Sequence, residues 1–195
     1  ARDPAGEASL ENALLLHAVI RHPAIVRPLR SFRSGALTLV YPWVEGTVLN
    51  QATVSGSDRS ALAVFQQLPI STVCAAISTV LDAHVSIAAH GYVAVDLYDG
   101  CLLYDFTHEQ MHLIDLDEYH QGPFTLAGER LPGSLHYMAP EEFVRGATID
   151  ERTNVFTLGR AVQHLLDADK GWRGTAAQMK LVERATAGAP QRRYQ

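Results

Sequence analysis

Lysine is almost missing from this chain: Lys170 and Lys180 are the only two among 195 residues. No dense lysine and arginine run exists, and 16 basic against 21 acidic residues leave a formal net charge of -5. The counterion-release signature of nucleic-acid binding is therefore absent, and the composition argues against a nucleic-acid partner. Cysteine is scarce as well. Cys74 and Cys101 cannot supply a disulfide framework, so a reducing cytoplasm is the default setting. Long apolar runs are lacking too: each is broken by Ser, Thr, His or Asp short of a bilayer span, and no basic-then-apolar leader opens the chain. The sequence reads as cytoplasmic, without a membrane partner, repeats or low-complexity tracts.

The residues that are present suit a globular protein. Apolar residues make up 47% and charged residues 19%, enough for a core, and 195 residues suit one domain. Ala1 to Ala8 is small and polar and reads as a frayed lead-in. Leu10, Leu14, Leu16, Val19 and Ile20 recur at helical spacing, and His22-Pro23 ends that helix because a residue before proline is pushed out of the helical region. Ile25 to Phe32 and Ala36 to Val44 read as strands joined through Arg33-Ser34-Gly35. Ser55 to Ser60 reads as a loop. Ser71-Thr72 are placed to cap a long helix to His90, with Val73, Ile77, Val80, Leu81, His84, Ile87 and Ala88 inward and Gly91 as its stop. A second hairpin joins Cys101 to Tyr104 with Met111 to Ile114, and a Gly/Pro-punctuated loop covers Gln121 to Ser134. Thr153 to Asp167 is the other strong helical pattern.

Three motifs stand in series. Gly91-Tyr-Val-Ala-Val-Asp96-Leu-Tyr-Asp99-Gly-Cys-Leu-Leu-Tyr104 is followed by His112-Leu-Ile-Asp115-Leu-Asp117 and then by Gly133-Ser-Leu-His-Tyr-Met-Ala-Pro-Glu141. In that order and spacing they resemble the catalytic loop, the metal-binding loop and the substrate-side anchor of the protein-kinase superfamily. His22-Pro23-Ala-Ile-Val26 resembles a segment after that family's C helix, and Leu37 to Gly46 resembles the strand leading into its hinge. Thr153-Asn-Val-Phe-Thr-Leu-Gly159 resembles the start of its buried F helix, with Asn154 where Asp is usual. Pro190-Gln-Arg-Arg193-Tyr resembles the place where an arginine pairs with the Ala-Pro-Glu glutamate, here Glu141. The resemblance runs from about Leu10 to the end. It implies an α+β, protein kinase-like fold with a remnant N-lobe over residues 1–46 and a mostly helical C-lobe over 47–195.

A complete two-lobed member needs roughly 250 residues, so the resemblance implies a truncated or reduced domain without the N-terminal strands that clamp ATP. Phosphoryl transfer needs an oriented nucleophile and neutralised phosphate charge. By resemblance, Asp96 orients a substrate hydroxyl, and Asp115 ligates Mg2+. The plain alternatives are an acceptor of backbone hydrogen bonds at Asp96 and a turn aspartate at Asp115. The family's metal-binding Asn falls on Cys101, a soft thiol unsuited to Mg2+. Asp99 is an oxygen donor available to replace it, or a turn residue of an Asp-x-x-Asp-Gly pattern. Asp117 replaces the family's loop glycine, and with Asp96, Asp99, Asp115 and Glu118 it predicts a carboxylate-rich patch that favours a cation.

On the nucleotide side, Tyr41 is the implied gatekeeper. Pro42 offers its carbonyl and Val44 its amide to an adenine, and Leu103 lies beneath it. Ala94 and Val95 stand in place of the His-Arg pair, which removes the receptor for a phosphorylated activation loop. Counting back from His22-Pro23 puts Ala13 at the helix glutamate's place, with Glu11 two residues away. The loose spacing of His108, His112 and His120 makes a zinc site a poor fit. Two functions follow. One is an ATP-dependent, Mg2+-dependent phosphotransferase, by resemblance a serine/threonine protein kinase acting on a protein substrate. The other is a catalytically inactive pseudokinase serving as a regulatory module for a protein partner, with the loop from Gln121 to Ser134 as its surface.

Overall fold

A computed structural model describes residues 4–54, 56–169 and 171–195. The first three residues of the expected lead-in, Ser55 of the expected loop, and Lys170 lie outside them. The chain is a mixed α+β fold of helices and several small antiparallel sheets.

Helix α1 (Pro4–Val19) begins earlier than periodicity predicts, so the rest of the lead-in is helical. Proline is preset for a first helical turn, and Glu7 in that turn suits the positive end of the helix dipole. Its buried face carries Ala13, Leu16 and His17. Strands β1 (Arg30–Ser34) and β2 (Ala36–Val40) form the predicted hairpin, turning at Gly35 with φ +81°. Both are shorter than expected. Ile25 instead bridges Leu113 in parallel, and the Val26 amide donates to the Leu113 carbonyl at 3.0 Å.

Strand β3 (Thr47–Val48) follows Gly46. A Cβ at Gly46 would meet Leu103 Cδ2 at 2.3 Å and the Tyr104 carbonyl oxygen at 2.9 Å, so only glycine lets the chain pass this closely. Strand β5 (Gly56–Asp58) lies inside the loop expected over Ser55 to Ser60, a correction, and pairs with β4 (Gln51–Thr53) just before it. The Asp58 carboxylate then accepts from the Ser60 amide at 2.8 Å, opening a short helix, α2 (Ser60–Phe65).

Helix α3 (Ile70–Ala89) starts directly after Pro69, so Ser71 and Thr72 lie inside it rather than capping it. By length and composition it is apolar enough to cross a membrane despite its polar interruptions. Here its inward face, from Val73 through Ile77, Val80 and Ala83 to Ile87, is part of the main core. Gly91, at φ +76°, ends the run, and its amide donates to the Ala88 carbonyl. Strand β6 (Tyr92–Val93) leads into the Asp96 loop. Strands β7 (Leu102–Asp105) and β8 (Gln110–Leu113) form the second predicted hairpin, and β7 also pairs with β3, matching Val48 with Leu103. Strand β9 (His120–Gln121) pairs back to β6. Strand β10 (Phe124–Thr125), inside the expected loop, pairs with β11 (Thr148–Ile149).

Helix α4 (Glu151–Leu166) opens two residues before its predicted start because Asp150 caps it, accepting from the Arg152 amide at 2.9 Å. Strands β12 (Asp167–Ala168) and β13 (Gly171–Trp172) precede α5 (Ala176–Ala185). Thr175 and Gln178 form the capping box of α5, a helix absent from the elements expected from the sequence. Helix α5 lies against α4 so closely that a Cβ on Gly159 would sit 2.8 Å from Ala185 Cβ.

Candidate functional site

The irregular segment between β2 and β3 arches over the β7–β8 hairpin and leaves a cleft of about 440 Å3. Its lining includes Tyr41, Pro42, Val44, Val48, Leu103 and Asp115. Three residues expected on sequence grounds to hold an adenine, and one expected to hold a cation, therefore share one cavity. The β3–β7 register explains why: it sets Leu103 beside Val48, while β8 runs straight into Asp115. Trp43 also lines the cleft; it is 86% exposed, and its indole N–H donates to the Glu45 carboxylate at 3.0 Å.

Asp96 and Asp115 have φ of +60° and +61°, and Glu109 in the hairpin turn is the remaining non-glycine residue of this kind among the described residues. The left-handed region is disfavoured for residues with a Cβ, and such conformations cluster at functional sites. Asp96 is half-buried. The Ser134 amide lies on the side of its carboxylate and favours the ionised form, and a Cβ on Gly133 would come within 3.4 Å of Oδ1. Burial, then the charges of Glu118 and Asp117, push its pKa up to about 6. Asp115 is exposed, and the Asp117 carboxyl lies near it. Burial and that neighbouring charge hold Asp117 above the usual carboxylate range.

Helix α1 secures the loop after Asp115. The Asn12 side-chain amide donates to the carbonyls of Asp117 and Tyr119, and the Ser9 hydroxyl donates to Glu118 at 2.7 Å. Tyr119 is fully buried, and its hydroxyl meets His84 Nε2 at 2.8 Å. His84 Nδ1 lies 2.7 Å from the Val80 carbonyl, which can only accept, so Nδ1 carries the proton and Nε2 accepts from the phenol. Burial pushes the His84 pKa down to about 4, in keeping with a neutral ring.

Asp99 is not brought to the cleft. It is 1% exposed; Oδ1 accepts from Asn50 Nδ2 at 2.9 Å and Oδ2 lies 3.3 Å from Arg59 Nε. No group of three or more metal-capable side chains converges among the described residues, so the predicted carboxylate patch is not a closed ligand set. Nor does α1 offer a carboxylate to the cleft. Glu7 and Glu11 both bind Arg33 on the outer face, and Ala13 is buried. No lysine lines the cleft among the described residues, and Lys180 is exposed on α5.

Two anchors hold the loops around Asp96. Asn154 on α4 accepts from the Ala94 amide at 2.6 Å and donates to the Tyr92 carbonyl at 3.1 Å. The expected pairing of Arg193 with Glu141 is present, at 2.6 and 2.8 Å, and Thr153 donates to the same carboxylate. All five guanidinium N–H groups are used, the others reaching the carbonyls of Arg152, Ala187 and Gly188. Asn12, Tyr119 and His84 carry no motif, so no sequence signal marks them as part of the site. No protein-family model matches the chain, and no curated protein is similar to it.

Proposed function

We propose that the chain is a protein kinase-like domain that binds ATP in the cleft under residues 41–48 and transfers its terminal phosphoryl group to a hydroxyl, with a serine/threonine protein substrate as the acceptor. The carrying observation is the meeting of Pro42, Val44, Leu103 and Asp115 in one cavity. Proline loses a donor but keeps its carbonyl, the group an adenine amine requires, and Val44 retains an amide to donate. Leu103 and Val48 supply an apolar floor for a flat base.

Mg2+ takes one or two protein carboxylates and completes its shell with water and phosphate oxygens, so Asp115 with Asp117 fits one such ion. Cys101 and the Asn50-bound Asp99 do not fit a second. The ion would supply neutralisation of phosphate charge. Asp96 orients the acceptor hydroxyl and takes its proton as the oxygen–phosphorus bond forms and the bond to ADP breaks. Its pKa of about 6 keeps the carboxylate ionised at pH 7, so phosphotransfer should rise with pH through that value. A reducing cytoplasm suits the free thiols Cys74 and Cys101.

Phosphate release from labelled ATP to a general protein acceptor tests this reading. Asp96→Asn should lower turnover by about a hundredfold or more while leaving the fold intact; undiminished transfer would overturn the role. The second reading, a pseudokinase that binds a regulatory protein, is favoured by the buried thiol at 101 and by a cleft without lysine among the described residues. ATP binding indifferent to Asp115→Ala, with no phosphotransfer, selects it.

A further inference from the structure

Cys101 is 1% exposed, and each of its polar groups is engaged. Its amide donates to the Tyr98 carbonyl at 3.0 Å, its carbonyl accepts from the Ile114 amide at 3.0 Å, and its thiol lies 3.3 Å from the Asp96 carbonyl oxygen. One end of this residue thus holds Asp96, and the other holds the residue immediately before Asp115. These are the two aspartates whose backbones adopt the left-handed conformation. Nothing local compels an aspartate into that region, so the tertiary contacts at each end of the loop must over-determine it.

We propose that Cys101 is a positioning residue: its S–H donates to the Asp96 carbonyl and so fixes the backbone of Asp96, while its main-chain carbonyl accepts from the Ile114 amide and ties the same residue to the strand that ends at Asp115. The soft thiol makes no ligand for Mg2+, but it is a hydrogen-bond donor of the right length for this carbonyl. Burial pushes the thiol pKa well up, which keeps the proton on sulfur and the donor in place. Tyr119 packs into the same core, and among the described residues the Asp96 carbonyl is the hydrogen-bond partner of the Cys101 thiol. The catalytic consequence rests on the phosphotransfer reading above, whereas the backbone consequence does not.

The test compares Cys101→Ala, which removes the donor, with Cys101→Ser, which keeps one, in the full chain. The first readout is the strong intraresidue amide-to-Hα NOE of Asp96 that marks positive φ. It should vanish in Cys101→Ala and persist in Cys101→Ser. The second is steady-state phosphotransfer: Cys101→Ala should lose about tenfold to a hundredfold in kcat with KM for ATP unchanged, and Cys101→Ser should recover most of it. Should Cys101→Ala fail to fold, Cys101→Val fills the space without a donor and takes its place. A positive-φ signature surviving in the donorless variants, or Ser and Ala behaving alike, would overturn the proposal. Wild-type protein that transfers no phosphate would overturn the kinase reading instead, and the NOE would still decide the role of Cys101.

Discussion

Arg193 and Glu142 show two ways of burying charge beside one another. Arg193 is 2% exposed, yet every donor has an acceptor and its guanidinium lies 4.8 Å above the Phe156 ring, the arrangement that makes a buried ion tolerable. Glu142 is 1% exposed with a single partner for its carboxylate, the Ala139 amide at 2.6 Å. Burial, then the charge of Glu141, raises its pKa to about 7. The folded protein therefore binds a proton here that the unfolded chain releases near 4.5, and stability falls as pH rises between those values. Glu142→Gln keeps an acceptor for Ala139 without the charge. It should be more stable than wild type at pH 8 by on the order of 2 kcal/mol, the gain fading toward pH 4.5. Burial lowers the pKa of His17 and His84 to about 4, which costs stability on acidification, but that effect is common to both proteins and cancels in the difference. Chemical denaturation at the two pH values measures it; a destabilised variant at pH 8 would contradict the reading of Glu142.

At the scale of elements, α4 positions the Asp96 loop through one side chain. Asn154→Ala would leave the Ala94 amide and the Tyr92 carbonyl unpaired in the interior, at a cost of about 1–3 kcal/mol for each group. Urea denaturation should show the loss, and hydrogen exchange should show the Ala94 amide deprotected ahead of the α3 amides. An unchanged Ala94 protection factor would mean that the loop is held by something else.

The elements also differ in how far the sequence discloses them. Helices α3 and α4 and the β7–β8 hairpin are legible because their apolar periods are long and locally complete. The β4–β5 hairpin is not, since its strands are polar and exposed and carry no alternation to read. The Asp96 and Asp115 loops can be found by motif, and Leu103 by its offset from them. The fate of Asp99 cannot. Its partner Asn50 lies 49 residues away, and only the folded chain brings them together. The left-handed backbones of Asp96 and Asp115 are equally silent in the sequence, because tertiary hydrogen bonds impose them where glycine would have announced them.

In the whole molecule, a core built on α3 and the β7–β8 hairpin takes in Leu16 of α1 and Leu165 and Leu166 of α4, with β2 packed on α1 and α5 on α4. The cleft opens where the arch after β2 crosses that hairpin, and Asp115 stands at its edge. The phosphotransfer reading depends on a nucleotide occupying that space. Calorimetric titration of the full chain with ATP, with and without Mg2+, and of its Asp115→Ala variant, tests this directly. Saturable binding in the wild type, weakened at least about tenfold without Mg2+ or without the Asp115 carboxylate, is the expected result. Binding indifferent to both, or no saturable binding at all, would contradict the assignment of the cleft.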